Sequence, residues 1–278
     1  DYEWYRFTHI AWKGGTFGGL ESPGGRNITC AKTRGCGFSY KESSDGVYNY
    51  NFIPGSKSYY FASIEQYLTT DGIMNKCQGM ADWINVNIPY WKQNRMENNT
   101  LLHMKSSYID EFGQKKGNMS EMIGVIVDNP NKTRGKRGRK IVFEEAGSFK
   151  KLKEALAISV GAVKDGGFRV GQISVFGTGG EEGPSIEGLE DIWSQPEQYD
   201  MLAFKNVWDE GMDGTSCGYF VPATKANIMF MDPDGNVDMD NAMKYEEEQR
   251  ALKAKATDVK ELDRYKAEYP IVPGEVFQ

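Results

Sequence analysis

Histidine is almost missing from this 278-residue chain; His9 and His103 are the only two. Cysteine is scarce as well. Cys30, Cys36, Cys77 and Cys217 are widely spread, with no CxxC pair and no histidine beside any of them. That pattern excludes a zinc site of the usual Cys/His spacing. It also gives no disulfide framework, so the four are expected as reduced thiols, as in a cytosolic protein. No run of 18 apolar residues occurs, so no membrane-spanning helix is expected. Nor is there an excess of positive charge: 33 Lys and Arg stand against 39 Asp and Glu, a net charge of −6. The molecule as a whole is therefore not a polycation, and any contact with nucleic acid has to come from a local patch. An initiator Met is lacking too, and the opening "DYEWYRFTHI" is acidic and aromatic, unlike a secretory leader. A fragment of a longer protein is the expectation.

What is present suffices for one large core, or a core with a smaller appended element, since 39% of the residues are apolar. Residues 1–26, aromatic and then glycine-rich, read as an irregular lead-in. The aromatics Trp4, Tyr5, Phe7 and Trp12 suit core packing better than stacking on adenine. Residues 27–33 read as a buried strand and Ser39 to about Tyr50 as a helix, weakened by Gly46. "KSYYFAS" (57–63) is strand-like. Residues 72–86 carry Ile73, Met74, Cys77, Met80, Trp83 and Ile84 at helical spacing. "LLHMKSSYI" and "EMIGVIVD" are further strands, "SFKKLKEALAISVGAV" is an amphipathic helix, and "GQISVFGTGG" is a strand ending in glycines. Alternating strands and helices predict an α/β fold with a mainly parallel sheet flanked by helices. The last fifty residues are a turn followed by charged helical sequence, expected as a lid or linker subdomain over 219–278 beside a core over 1–218.

Three segments carry candidate chemistry. "KTRGCGFS" (32–39) follows the first strand and nearly matches a phosphate-binding loop, G-x-x-x-x-G-K-[ST]. Phe38 stands where lysine is usual. Gly35 and Gly37 permit close backbone approach, Ser39 offers a hydroxyl for Mg²⁺, and a helix begins there. Lys32, at the front of the loop, is long enough to reach β- and γ-phosphates. A structural turn after a strand is the plainer reading of the same residues. In "KIVFEEAG", an apolar strand ends in Glu144 and Glu145, an arrangement that serves Mg²⁺ and the attacking water in one class of P-loop ATPase; a solvated acidic turn is its plain reading. In "ISVFGTGG", Thr178 follows a strand end, where a hydroxyl can sense a γ-phosphate; any glycine turn is its plain reading. The acids come about 105 residues after Ser39, and Thr178 about 35 further on. That order suits ligand binding at the carboxyl ends of strands in an open sheet.

In this order the three segments resemble the ATPase domain of the large terminase subunit of tailed bacteriophages, the DNA-packaging motor. Some of those proteins carry the Walker A lysine at the front of the loop, in patterns like K-S-A-R-V-G-Y-S, and "KTRGCGFS" is similar. "RGKRGRKIVFEEAG" resembles their R-G run leading into Walker B, with Glu144 where Asp is usual. "GTGG" (177–180) resembles the coupling motif, and "EYPIVPGEVFQ" (268–278) the segment before the nuclease domain. The resemblance implies a P-loop NTPase of the additional-strand catalytic-glutamate type with a C-terminal lid. It implies ATP held by Lys32, Thr33, Arg34, Gly35, Cys36, Gly37, Phe38 and Ser39, with Mg²⁺ on Ser39 and Glu144. Catalysis would rest on Glu145, Thr178 and, acting in trans, Arg134. The partners it implies are double-stranded DNA, further copies in a ring, a portal protein and a small terminase subunit, in the cytoplasm of an infected bacterium. Without the nuclease half, no DNA cleavage is expected. A helicase or other P-loop translocase, or a nucleotide-binding module without hydrolysis, remains open.

Two segments stand apart. From Lys132, six of nine residues are Lys or Arg. This run reads as a solvated loop, a DNA-facing patch or, through Arg134, an arginine finger; Arg34 is a second cationic candidate. "DPDGNVDMD" (232–240) lacks the glycine position of an EF-hand and reads as an Asp-Gly turn.

Overall fold

The computed structural model describes every residue except 1–2, 18–19, 96–98, 180–183, 210, 213 and 278. Asp1, Tyr2, Gly18, Gly19, Gln278 and Gly180 of the GTGG segment thus lie outside the described residues. In chain order the longer elements are α1 (Glu3–Lys13), β1 (Ile28–Lys32), α2 (Phe38–Phe52), β2 (Lys57–Ala62), α3 (Ile73–Asn87), β3 (His103–Ile109), β4 (Lys115–Ile126), β5 (Lys140–Phe143), α4 (Leu152–Val160), β6 (Gln172–Gly177), α5 (Pro184–Ser194), β7 (Tyr219–Val221), α6 (Met239–Lys253) and α7 (Glu261–Glu268). The fold is mixed α/β, with a mainly parallel central sheet flanked by helices. No helix among the described residues is long and apolar enough to cross a membrane. All the elements expected from residue 27 onward are present. Strand β4, however, starts six residues before "EMIGVIVD", and β3 starts only at His103.

The chain divides into two compact units. One comprises Asp1–Cys36, Ala146–Lys153 and Val175–Gln278. Its strands lie in the order β7-β1-β6. All five residues of β1 are buried, as expected of a strand covered on both faces. Strand β7 pairs with it in parallel, Tyr219 opposite Cys30 and Val221 opposite Lys32, so this sheet takes up residues beyond 218. The irregular lead-in expected at the N-terminus is overturned. Trp4, Phe7, Ile10 and Ala11 recur at helical spacing and are buried along α1. The Phe7 ring packs edge-on to Phe204 at 4.3 Å and stacks on Tyr219 at 4.7 Å. The glycine-rich stretch after α1 forms a short hairpin, Gly15–Phe17 with Leu20–Ser22. A β-carbon at Gly24 would stand 2.9 Å from the Gly14 nitrogen, which explains the glycine at that position.

The other unit comprises Gly37–Glu145 and Glu154–Ser174, with strands in the order β6-β5-β2-β4-β3. Strand β2 pairs in parallel with both β5 and β4, and β3 returns antiparallel along β4. Helices α2 and α3 pack together beside this sheet, and the Ser43 hydroxyl on α2 donates to the Ile73 carbonyl at 3.2 Å. Gly46 has a specific reason to interrupt α2. A β-carbon there would stand 1.7 Å from the hydroxyl oxygen of Tyr60, which is wholly buried. Gly46→Ala should therefore destabilise the protein by about 1–3 kcal/mol, the cost of overpacking, despite alanine's better helix propensity. Adding Tyr60→Phe should return part of the loss. Urea denaturation of the four members of this cycle checks the coupling.

Candidate functional site

Strand β1 leads straight into the loop expected to hold phosphate, and α2 starts at Phe38. Gly35 (φ 77°) and Gly37 (φ 78°) lie in the left-handed region. A β-carbon at either would meet nothing within 4 Å, so backbone conformation and not crowding calls for glycine. No side chain caps the start of α2 at Gly37. A helix start of this kind is one that an anion can complete. Phe38 is 1% exposed. The place that ordinarily carries the lysine is therefore a core position here, and what Phe38 can offer a ligand is its backbone N–H. Lys32 stands at the carboxyl end of β1, 5% exposed, with Nζ 5.8 Å from the Phe176 ring centroid. Cys36 is buried, as are the other three cysteines, and none of the four is in a disulfide.

The front of the loop is stitched to the end of α7. The Arg34 N–H donates to the Glu268 carbonyl at 2.9 Å, and Arg34 Nη1 donates to both Glu268 carboxylate oxygens at 2.9 and 3.0 Å. The Thr33 N–H donates to the Val221 carbonyl at 2.9 Å. Beyond β6, where Thr178 is half-buried, the Gly179 N–H donates to the Ala267 carbonyl at 3.2 Å. The Arg34 and Glu268 side chains are 62% and 45% exposed. An ion pair this wet contributes below about 1 kcal/mol, so it breaks easily. Glu268 as a partner of the loop was missed by sequence reasoning, although "EYP" had marked the segment.

In the other unit, two residues 105 apart in sequence come into contact. The Ser39 hydroxyl donates to Glu144 Oε1 at 2.7 Å. Glu144 is 5% exposed and continues the end of β5, its N–H bonded to the Phe61 carbonyl at 2.8 Å. Burial pushes the Cys77 thiol up to about 11, and the Glu144 carboxylate adds to that. Glu145 follows, half-buried, at φ 46°. A non-glycine residue held in the left-handed region costs on the order of 1–3 kcal/mol and marks a position that its surroundings dictate.

On the same helix as Ser39 lies a largely buried ion network that sequence reasoning also missed, with Asp45, 39% exposed, at its edge. Lys41 Nζ donates to Glu42 Oε1 at 2.9 Å and to Asp45 Oδ2 at 2.8 Å. Lys140 Nζ lies 2.8 Å from Glu42 Oε2 and 3.1 Å from both Asp45 Oδ2 and Gln172 Oε1. Lys140, read from sequence as the last charge of a surface run, is 3% exposed. It begins β5, and its side chain reaches inward to α2 because two carboxylates wait there. Burial alone would push the Asp45 carboxyl up, but the Lys140 and Lys41 ammonium groups outweigh it and hold the group at about 2. Burial likewise opposes the charge on Lys41, and Glu42 and Asp45 overcome it, raising its pKa.

The rest of the basic run stays at the surface. Lys132 pairs with Asp128 at 2.9 Å, and the Thr133 hydroxyl donates to the Pro130 carbonyl at 2.8 Å. Arg134 is exposed, with Nη2 3.4 Å from Asn131 Oδ1. The 232–240 segment is the expected turn. Asp232 Oδ1 accepts from the N–H groups of Asp234 and Asn236, and Gly235 has φ 86°. Among the described residues, no three His, Cys, Asp or Glu side chains are grouped to hold a metal.

Removing the Lys140 charge should expose how much the network matters. Lys140→Met leaves a buried carboxylate short of a partner and should cost about 3–5 kcal/mol. Glu42→Gln/Lys140→Met removes one charge of each sign and should be less destabilised than the single variant. The acid limb tests the same network. A carboxyl held below its ordinary 3.8 adds stability above that pH, which is lost as pH falls through about 2. Asp45→Asn should therefore flatten the stability–pH curve below pH 3.8 in denaturant titrations.

No protein-family model matches this sequence, and no curated protein does. Among solved structures, the chain is similar to the ATPase domain of the large terminase of Thermus phage P74-26. The TM-score is 0.56 at 14% identity, over 90% of this chain and 89% of that one. An arginine-to-alanine variant of the same domain gives 0.59 at 15% identity, over 90% of each chain. At such identities the likeness establishes the fold.

Proposed function

We propose that this chain is the ATPase domain of a phage terminase large subunit, hydrolysing ATP to drive double-stranded DNA into a procapsid. The observation that carries the reading is the Ser39–Glu144 hydrogen bond at 2.7 Å, beside a glycine loop that opens α2. A hydroxyl and a carboxylate in contact at a strand end are hard oxygen donors. They fit Mg²⁺, which takes few protein ligands and fills its shell with substrate phosphate and water. Ser39 and Glu144 would hold it, and once bound it neutralises charge on the phosphate oxygens. Lys32 and the 33–37 backbone hold the phosphates. Glu145 orients the attacking water and takes its proton. Thr178 passes the state of the phosphates to the 219–278 segment. In a ring of copies, Arg134 reaches the neighbour's nucleotide. A portal protein and a small terminase subunit are the further partners of this reading, and the cytoplasm of an infected bacterium is its setting.

Glu145→Gln should keep ATP bound and nearly abolish turnover, because an amide is isosteric but takes no proton. Lys32→Ala should lose binding and hydrolysis together, at a cost of about 3 kcal/mol in transition-state stabilisation. Equilibrium binding of a nucleotide analogue and single-turnover hydrolysis check both. Normal turnover in Glu145→Gln would remove that residue from the mechanism. Analogue binding without hydrolysis by the unmutated chain would leave a nucleotide-binding module.

The action of Arg134 is tested by mixing. The isolated domain should be a weak ATPase whose specific activity rises with protein concentration, since trans fingers contribute about 10³–10⁵ in rate. Glu145→Gln and Arg134→Ala are each expected to be inactive. Mixed, one subunit keeps a good site and the other a good finger, and activity should return. A mixture that stays inactive where unmutated domains associate would remove Arg134 from that role.

A further inference from the structure

We infer that residues 136–139, together with the hairpin at 164–169, form a contact surface for the phosphate backbone of duplex DNA. The inference rests on the reading of the chain as a DNA-translocating ATPase. Sequence reasoning had noticed only the first of these segments. The structure locks the second against it. Lys164–Asp165 and Phe168–Arg169 pair antiparallel around the Gly166–Gly167 turn, and the Val170 and Gly171 N–H groups both donate to the Val163 carbonyl. The next residue, Gln172, donates its N–H to the Arg139 carbonyl at 3.0 Å. A β-carbon at Gly171 would lie 2.2 Å from the Gly138 carbonyl oxygen, so only glycine lets the two segments approach this closely.

The formal charge of these two segments runs against that of the whole chain. Residues 136–139 hold Lys136, Arg137 and Arg139 with no acid, which is +3. Residues 164–169 add Lys164 and Arg169 against Asp165, which is +1, so ten residues carry +4 in a chain of net −6. Arg137 is exposed, whereas Lys136, Arg139, Lys164 and Arg169 are half-buried, which limits the side-chain freedom lost on binding. Around them, β-carbons placed at Gly135, Gly166 and Gly167 would meet nothing within 4 Å. Bare glycine backbone of this kind lets a phosphate chain approach closely. Phe168, 79% exposed at the hairpin end, adds one apolar contact. Single-strand binders need rows of aromatic platforms for successive bases, whereas one ring beside several cations fits a duplex backbone and its sugar edges. Arg134 lies before the Gly135 turn (φ 73°) and is not needed for this surface.

The test measures binding of a fluorescently labelled duplex of mixed sequence by anisotropy, across a salt series, with the full chain. Lys136→Glu/Arg137→Glu should weaken duplex binding by about tenfold or more and reduce the salt slope by about one for each phosphate no longer neutralised. Phe168→Ala should weaken binding and leave the slope unchanged. The control reversal Lys255→Glu, on an exposed site far along the sequence, should leave affinity as it is. Retained binding of a nucleotide analogue reports that the variants are folded. Unchanged duplex affinity in the double reversal overturns the surface, as does an equal loss in the control. A preference for the single strand of the same length, or no duplex binding at low salt, also overturns it. ATP hydrolysis is measured in parallel without DNA. Its absence alongside patch-dependent duplex binding would sink the ATPase reading and keep the surface; hydrolysis with duplex binding indifferent to the patch would do the reverse.

Discussion

The contact between α2 and β5 fixes the best-defined part of the candidate site. Lys140 at the start of β5 and Lys41 on α2 share the carboxylates of Glu42 and Asp45, at 2.8 to 3.1 Å. Two positive and two negative groups cancel, which is the condition under which charge is tolerated in an interior. Four residues along β5 from Lys140 stands Glu144, and two residues before Lys41 stands Ser39. The network therefore sets the register between the strand end and the helix start. The 2.7 Å Ser39–Glu144 hydrogen bond follows from that register. A greasy substitute for the network would supply stability.

The loop's other attachment is of the opposite kind. Arg34 meets Glu268 in the open, where water and salt screen the pair. Around it, the main-chain bonds of Thr33, Arg34 and Gly179 to Val221, Glu268 and Ala267 hold the C-terminal segment to the loop's front and to the residues after β6. A buried network that cannot be rearranged cheaply sits behind Ser39, and an exposed ion pair that can sits beside Lys32. The two attachments thus differ in what they cost to break: an ion pair in low dielectric is expensive to separate, an exposed one is not.

The sequence made the strand-loop-helix unit legible because each part has a short-range signal. Ile28–Lys32 is an apolar run, the glycines mark the turn, and apolar side chains recur at helical spacing in α3. Glu144 and Glu145 were legible as a strand end. The contact of Glu144 with Ser39 was not, because the two stand 105 positions apart and a contact between a helix start and a distant strand end leaves no local trace. The N-terminal helix was misread because its glycine-rich sequel dominated the composition, although Trp4, Phe7, Ile10 and Ala11 already carried the spacing. Lys140 was misread for a similar reason. Next to five surface cations it looked like a sixth, and only the acids of α2, a hundred residues earlier, give it a place inside.

Phe38 shows how packing and chemistry are reconciled in the loop. A lysine at that position would have its stem in the core, at a site 1% exposed, and its ammonium group would have to be brought out or neutralised. The protein keeps an aromatic ring there, and the ring secures the first turn of α2 to the core. In the proposed site the cation is Lys32, at the end of a strand, where its Nζ lies 5.8 Å from the Phe176 ring centroid. An aromatic face attracts an ammonium group modestly, by about 0.5–1 kcal/mol at exposed sites and more when desolvated. That is enough to steady the side chain and too little to compete with the charge of the triphosphate that the proposed function places there. The departure from the usual phosphate-loop pattern is thus consistent with a division of labour, in which one position packs and the other carries charge.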